Sequence, residues 1–207
     1  MNRNYQKELD RIIRKQGQRR PRVLLHACCG VCSSAVLEYL TQFFELTILW
    51  YNPNLYPQEE FERRYRTLLE LLEKMGLRER VAVLTEPWRP EDYRAAAAGL
   101  EAEPEGGARC TECFRLRLKE TARIAAERGF DYFCTTLTLS RHKDARRINA
   151  LGEELGREAG VTWLPSDFKK QGREMRSTEL AEAYGLYRQL YCGCEYSLRK
   201  REEHAAD

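Results

Sequence analysis

Long apolar runs are missing from this chain. No stretch approaches the roughly 18 uncharged apolar residues that a membrane-spanning helix needs. The opening segment, MNRNYQKELDRIIRKQGQRRPR, is charged where a secretory leader would carry its apolar core. No P-loop follows any apolar run, so the commonest phosphate-cradling signature is excluded. No internal repeat and no low-complexity tract occurs, which excludes solenoids and arrays. These absences point to a cytoplasmic protein with no membrane partner.

What remains is ordinary in bulk and unusual in one residue type. With 207 residues and 43% hydrophobic content, a single domain with a sizeable core is expected. Eight cysteines are present, and seven of them fall in clusters. Cys28, Cys29 and Cys32 lie within LLHACCGVC, Cys110 and Cys113 form a CxxC, and Cys192 and Cys194 form a CxC. Cys134 stands alone and reads as a small buried apolar residue. In a reducing compartment such clusters mean metal or redox chemistry more often than structural disulfides.

The net charge of +3 hides an uneven distribution. Residues 1–22 hold eight Lys or Arg against Glu8 and Asp10, a local +6, which leaves −3 for the rest. Further basic groups stand at Arg141, Lys143, Arg146 and Arg147, and at Lys169, Lys170, Arg173 and Arg176. Such patches suit a polyanion such as RNA. For any one of them, however, a solvated helix face is the simpler reading.

Apolar periodicity lays out alternating strands and helices. A basic amphipathic helix over 4–17 forms an N-terminal extension, here bounded as 1–20, ahead of an α/β domain over 21–207. Strands are expected at Arg22–Ala27, Glu45–Tyr51, Val81–Leu84, Asp131–Thr136 and Val161–Leu164. Helices are expected at Ser33–Phe43, with Ser33 or Cys32 near its cap, and at Glu59–Met75, Pro90–Ala98, Thr111–Arg128, Ala145–Ala159 and Glu174–Tyr187. NPNLYPQ is a defined loop, and EAEPEGGAR a flexible one. Five short strands alternating with helices give a parallel, doubly wound sheet. The segments CCGVC, NPNLYP, TTLTLSRHKD and SDFKKQG then gather at the carboxyl ends of the strands, where such folds bind ligands.

The thiol pattern narrows the chemistry. Adjacent Cys28 and Cys29 suit different corners of a cuboidal iron-sulfur cluster better than one small zinc ion. Cys110 and Cys113, in the first turn of a helix, would complete four thiolates. The glycine inside Cys192-Gly193-Cys194 permits either a short-range disulfide or a bidentate metal clamp. A zinc site built from two cysteine pairs remains the competing assignment.

Through HACCGVCSS, YNPNLYPQEEFERR, CTECFRLRL, TTLTLS, SDFKKQG and YRQLYCGC, in that order from Val23 to Arg199, the chain resembles the cobalamin-independent epoxyqueuosine reductases of the QueH type. The resemblance implies a HUP-like α/β fold and a 4Fe-4S cluster on Cys28, Cys29, Cys110 and Cys113. It implies reduction of epoxyqueuosine to queuosine at the wobble position of tRNAs with queuosine-type anticodons, those accepting Asp, Asn, His and Tyr. Cobalamin is not expected, and the electron donor is left unnamed. Cys192 and Cys194 correspond to the family's redox-active pair; alternatively they hold a second, mononuclear iron together with Cys32. Some members carry Asp where this chain has Cys32, which suits a metal ligand and argues against an obligatory disulfide partner. The loop after the fourth strand departs from a TTLxxSPxK-like pattern, because Arg141 stands in place of the proline.

Substrate contacts are assigned to the strand-end loops. Asn52, Asn54 and Tyr56 are candidates for the cyclopentane diol or the flipped base, and Asp167, Lys169 and Lys170 for ribose and phosphates of the anticodon loop. His26, beside the cysteines, reads equally as a proton donor or as a hydrogen-bonded support. Phe61, Tyr65 and Phe114 read as core. Two other functions compete. A non-catalytic zinc-stabilised RNA-binding protein would explain the charge and the CxxC, but not the CC dipeptide. A tRNA sulfurtransferase-like enzyme would need an SGGxDS loop where this chain has ACCGVCSS.

Overall fold

The computed structural model describes residues 3–206. The chain runs α1 (Tyr5–Gln16), β1 (Arg22–His26), α2 (Gly30–Leu40), β2 (Glu45–Trp50), α3 (Gln58–Lys74), β3 (Ala82–Thr85) and α4 (Pro90–Ala97). It continues with α5 (Ala108–Glu127), β4 (Tyr132–Thr135), a 3-10 turn (Thr136–Leu139), α6 (Ala145–Ala159), β5 (Thr162–Trp163), α7 (Arg173–Ala183) and α8 (Glu195–Ala206). No described helix is long and apolar enough to cross a membrane.

All strand pairings are parallel, in the order β3-β2-β1-β4-β5. Val23, Leu24 and Leu25 of the central β1 have no exposed surface, as expected for a strand covered by helices on both faces. The order of strand addition reverses between β1 and β4: the chain steps outward from β1 to β2 and β3, then returns to add β4 and β5 on the other side. That is the topological switch point, where the turns after two neighbouring strands diverge and leave a crevice. The CCGVC turn follows β1 and the TTLTL turn follows β4, so both enter this crevice.

Local differences from the expected elements have identifiable causes. The helix after β1 starts at Gly30, three residues early, because extended Cys29 is its cap and accepts the Cys32 N–H at 3.4 Å. The loop expected to be flexible is pinned. One Arg109 Nη1 donates to the carbonyls of Leu100, Glu101 and Glu103, and Arg147 donates to those of Gly106 and Gly107. The helix expected over 174–187 ends at Ala183, since Gly185 takes a positive φ of 57° and releases the chain toward the last cysteines. The closing α8 was not legible in the charged segment EYSLRKREEHAA.

α1 is docked onto the body of the protein. Leu9 has no exposed surface, Gln6 donates to Tyr39 and receives a bond from Arg173, and Gln16 donates to the Phe43 carbonyl. The tryptophans are structural. Trp50 packs against Phe61 and Tyr65, Trp88 donates to the Leu55 carbonyl at 2.8 Å, and Trp163 donates to Asn149 at 2.9 Å.

Candidate metal centre

The cysteines converge on the switch point by three routes. From β1, the sulfurs of Cys28, Cys29 and Cys32 all lie within 4.8 Å of one another. They line, through Cys28 and Cys32, an open cavity of about 520 Å³ that also takes in Lys143, Gln189 and Cys192. From α5 come Cys110 and Cys113, and from the segment before α8 come Cys192 and Cys194. These four line a smaller enclosed chamber with Asn54 and Arg117. Cys192 and Lys143 belong to both spaces, so the two adjoin. Six of the seven clustered thiols line these adjoining spaces and Cys29 lies beside them, but among the described residues only Cys28, Cys29 and Cys32 come together within 4.8 Å of one another, and all eight cysteines are free. Cys134 lies buried in β4, away from both spaces.

Electrostatics at the crevice single out one sulfur, Cys28, for the anionic form and keep Cys29, Cys32, Cys113 and Cys192 protonated in the metal-free protein. The N-termini of α2 and α5 both open onto the crevice, and helix N-termini stabilise thiolates. Hydrogen bonds from the Cys29 and Cys32 thiols hold Cys28 well below the usual thiol range, with Lys143 and Arg117 adding to the effect against burial. Donating those bonds pushes Cys29 and Cys32 up. Burial raises Cys113 to about 12 and raises Cys192 as well.

Arg117 is the most telling residue of the site. It is 2% exposed, donates to the Cys113 carbonyl at 3.1 Å and to the Cys113 sulfur at 3.3 Å, and feels the charges of Cys28 and Cys192. Among the described residues no carboxylate pairs with it. A buried cation without an anion is costly. Thiolates, or an anionic metal-sulfur group held by them, are the counter-charge the fold supplies. The donor set therefore fits an iron-sulfur group in sulfur chemistry, number and electrostatics.

The CxC segment is held from α3. Glu60 and Arg64, one helical turn apart and both buried, pair at 2.7 Å. Arg64 then donates to the carbonyls of Cys192 at 3.0 Å and Tyr191 at 3.2 Å. Gly193 sits at φ 121°, a conformation reserved for glycine, and a Cβ there would stand 2.5 Å from Leu55 and 2.8 Å from Arg64. The Tyr56 N–H donates to the Gly193 carbonyl at 2.8 Å, and the Tyr191 hydroxyl to the Tyr56 carbonyl. Gln189 reaches inward to donate to the Cys29 sulfur at 3.3 Å.

The remaining candidate residues take the following places. His26 is fully buried; its Nδ1 meets the Thr135 hydroxyl at 2.8 Å and its Nε2 the Tyr51 carbonyl at 3.1 Å. Burial, with Arg117 nearby, pushes it down to about 4, so the ring is neutral and both nitrogens are occupied. Asn52 donates to the Ala27 carbonyl at 2.8 Å and braces the cysteine turn. Asn54 lines the enclosed chamber with a buried carbonyl oxygen that has no partner among the described residues. Tyr56 serves the CxC segment through its backbone. Asp167 and Lys169 pair with each other at 2.7 Å, and neither they nor exposed Lys170 line either space.

Most expected basic patches are also engaged. Arg20 and Arg22 cap the exposed carbonyls at the ends of α2 and α5, at the opposite edge of the sheet from the thiols. Arg141 pairs with Glu174, Arg176 with Glu38, and Arg173 is buried over Tyr39. Lys143 is the exception that faces the cavity. The signals for Arg117 and Arg64 were in the sequence, as residues four positions after Cys113 and Glu60 on one helix face. Gln189 carried no such signal.

Comparison with known proteins places this arrangement. A family model described as epoxyqueuosine reductase QueH matches residues 23–200. Curated relatives named epoxyqueuosine reductase QueH include one from Streptococcus pyogenes serotype M1, 40% identical over 207 residues, covering 96% of this chain and 81% of the relative. One from Staphylococcus epidermidis is 40% identical over 205 residues, with coverage of 96% and 86%. One from Thermotoga maritima is 32% identical over 190 residues, with coverage of 88% and 94%. Among solved structures, the U34-tRNA thiolase NcsA from Methanococcus maripaludis with its [4Fe-4S] cluster is similar at TM-score 0.51 and 19% identity, covering 98% of this chain and 71% of that one. That likeness shows a similar α/β fold. With the family model spanning the whole cysteine framework and relatives matching nearly end to end, the chain belongs to the epoxyqueuosine reductase QueH family.

Proposed function

We propose that this protein reduces epoxyqueuosine to queuosine at the wobble position of tRNA, using an iron-sulfur group at the switch-point crevice. The approach of Cys28, Cys113 and Cys192 to the buried Arg117, with which no carboxylate among the described residues pairs, carries this reading. Cys28, Cys29, Cys110 and Cys113 would hold a 4Fe-4S cluster, with Arg117 offsetting its charge. Cys192 and Cys194 would act beside it, as a dithiol or, with Cys32, as ligands of a second iron. The substrates would be tRNAs with queuosine-type anticodons in a reducing cytoplasm.

Reduction of the epoxide to an alkene breaks both C–O bonds, consumes two electrons and two protons, and releases water. When bound, such a metal group supplies electrons singly at low potential and a Lewis-acidic iron for oxygen. The chain supplies the rest. The cavity of about 520 Å³ lies in the range of small-ligand sites and is large enough for a modified base swung out of its loop. Lys143, on its wall, puts a positive charge where negative charge develops on the departing oxygen. Arg64 holds the Cys192 carbonyl and the Tyr56 N–H holds that of Gly193, which anchors the backbone that carries the two thiols. Asn54, with its unpartnered oxygen, offers a hydrogen-bonding group inside the chamber.

Anaerobic purification with iron, zinc and sulfide analysis tests the reading. Brown protein with about four or five irons supports it; colourless protein with stoichiometric zinc favours a binding module. Cys192→Ser and Cys194→Ser should keep the cluster absorbance while abolishing queuosine formation. Full turnover by both variants would refute the assigned role of the pair.

A further inference from the structure

Two large apolar side chains stand out in solvent among the described residues: Met175, 72% exposed, and Leu190, 70% exposed. Only Leu190 lines the thiol cavity. It is presented there by a rigid frame. Gln189 turns inward to the Cys29 sulfur, the Tyr191 carbonyl is held by Arg64, and the Tyr191 hydroxyl is held by the Tyr56 carbonyl. With both neighbours anchored inward, Leu190 projects outward at the cavity mouth. Leu190 keeps most of its apolar surface in water in the free protein, so a partner that entered the cavity and covered it would gain from its burial.

The rim chemistry identifies that visitor. Lys143 and His142 line the same cavity as Leu190, together with Glu105; Arg63 stacks on Tyr187 at 3.6 Å, three residues before Leu190, and Arg188, two residues before it, pairs with Glu182. A single outward apolar side chain on a cavity that Lys143 and His142 also line matches a nucleic acid with a disturbed base stack. Phosphates meet the cations, and an apolar wedge fills the gap that an extruded base leaves behind.

We propose that Leu190 is this wedge: it inserts into the anticodon-loop stack at the place vacated when the modified nucleotide swings into the thiol cavity. The proposal rests on the reductase reading for the identity of the RNA, but makes a separate physical claim. Leu190 is a positioning residue, since it touches the loop next to the reacting nucleotide.

The test uses the metal-loaded protein and a synthetic anticodon stem-loop carrying 2-aminopurine next to the wobble position, whose fluorescence rises when stacking is lost. Wild-type protein and Leu190→Met should give the full rise. Leu190→Ala should lose it and bind the stem-loop about ten- to a hundredfold more weakly, the ratio that burial of one leucine side chain corresponds to. Met175→Ala should behave as wild type, and iron content should not change in any variant. An unchanged fluorescence rise with Leu190→Ala, or an equal loss with Met175→Ala, would overturn the wedge. Normal RNA binding by Leu190→Ala with a raised KM for a protein reductant would overturn it too, by making this the reductant's docking point. A full, Leu190-dependent fluorescence response in a protein that never reduces epoxyqueuosine would support the wedge and refute the reductase reading, so the two fail separately.

Discussion

Replacing Arg64 by methionine removes a guanidinium that ties α3 to the CxC segment. The side chain of Arg64 is 2% exposed and that of Glu60 is 9% exposed, so neither charge is screened by water. Breaking a buried pair by deleting one partner costs about 3–5 kcal/mol, because the remaining charge is stranded. Glu60 keeps one donor, the Tyr187 hydroxyl at 2.9 Å, which places the expected loss at the lower end of that range. Two carbonyls, of Cys192 and Tyr191, also lose their donor. A domain with a stability of about 5–15 kcal/mol stays folded after such a loss. The double variant Arg64→Met/Glu60→Gln strands no charge and should recover part of the stability, leaving a deficit of about 1–3 kcal/mol. It cannot restore the carbonyl bonds. Urea unfolding of metal-free, reduced protein measures the stability. Alkylation followed by mass spectrometry measures access to Cys192 and Cys194, with Cys134, which has no exposed surface, as internal reference. Both variants should label the CxC thiols about ten- to a hundredfold faster than wild type. A loss under about 1 kcal/mol in the single variant, or slow labelling restored in the double, would refute the claim that Arg64 sets the CxC geometry.

Three further outcomes follow from the packing and charge of the site. Leu9→Ala should cost about 2–5 kcal/mol in chemical denaturation, because α1 is docked through a fully buried leucine; deletion of residues 1–20 should then lower Tm at any salt concentration, whereas a loss of RNA binding alone would show α1 to be a mere appendage. Gly152→Ala would place a Cβ 2.2 Å from the Trp163 ring, so it should destabilise by about 1–3 kcal/mol and shift tryptophan emission, and an unperturbed spectrum would contradict the contact. Arg117→Met should act with opposite signs on the two forms: metal-free protein becomes no less stable, because an unpaired buried cation is gone, while iron retained per chain falls. Equal iron loading in this variant would show that thiolate charge is balanced elsewhere.

The way the cysteines are shared between two adjoining spaces separates what was legible from what was not. The strands and helices could be read because parallel strands covered on both faces are short apolar runs, and the helices between them carry a 3.6-residue period. Ala145–Ala159 matches its expected span at both ends, since Asp144 caps it by accepting two backbone N–H groups and Gly160 ends it in the left-handed region. The basic residues were ambiguous for a physical reason. An arginine that caps a helix carbonyl, as Arg20 does, has the same letter as one that meets phosphate.

The sequence by itself determined that thiols dominate the chemistry, that they fall after the first strand, in the first turn of a later helix and near the C-terminus, and that the chain alternates strand and helix. Those facts depend on residue type and local period, which are written in the chain. Only the tertiary structure decided that Cys28, Cys29 and Cys32 draw together while Cys192 is shared between two spaces, that Arg117 is their counter-charge, and that His26 is a neutral buried brace. It also decided that α3 holds the CxC segment and that Leu190 is left outside. Each of these depends on groups brought together across the switch point from positions as far apart as Cys29 and Gln189, and no local pattern encodes such a distance.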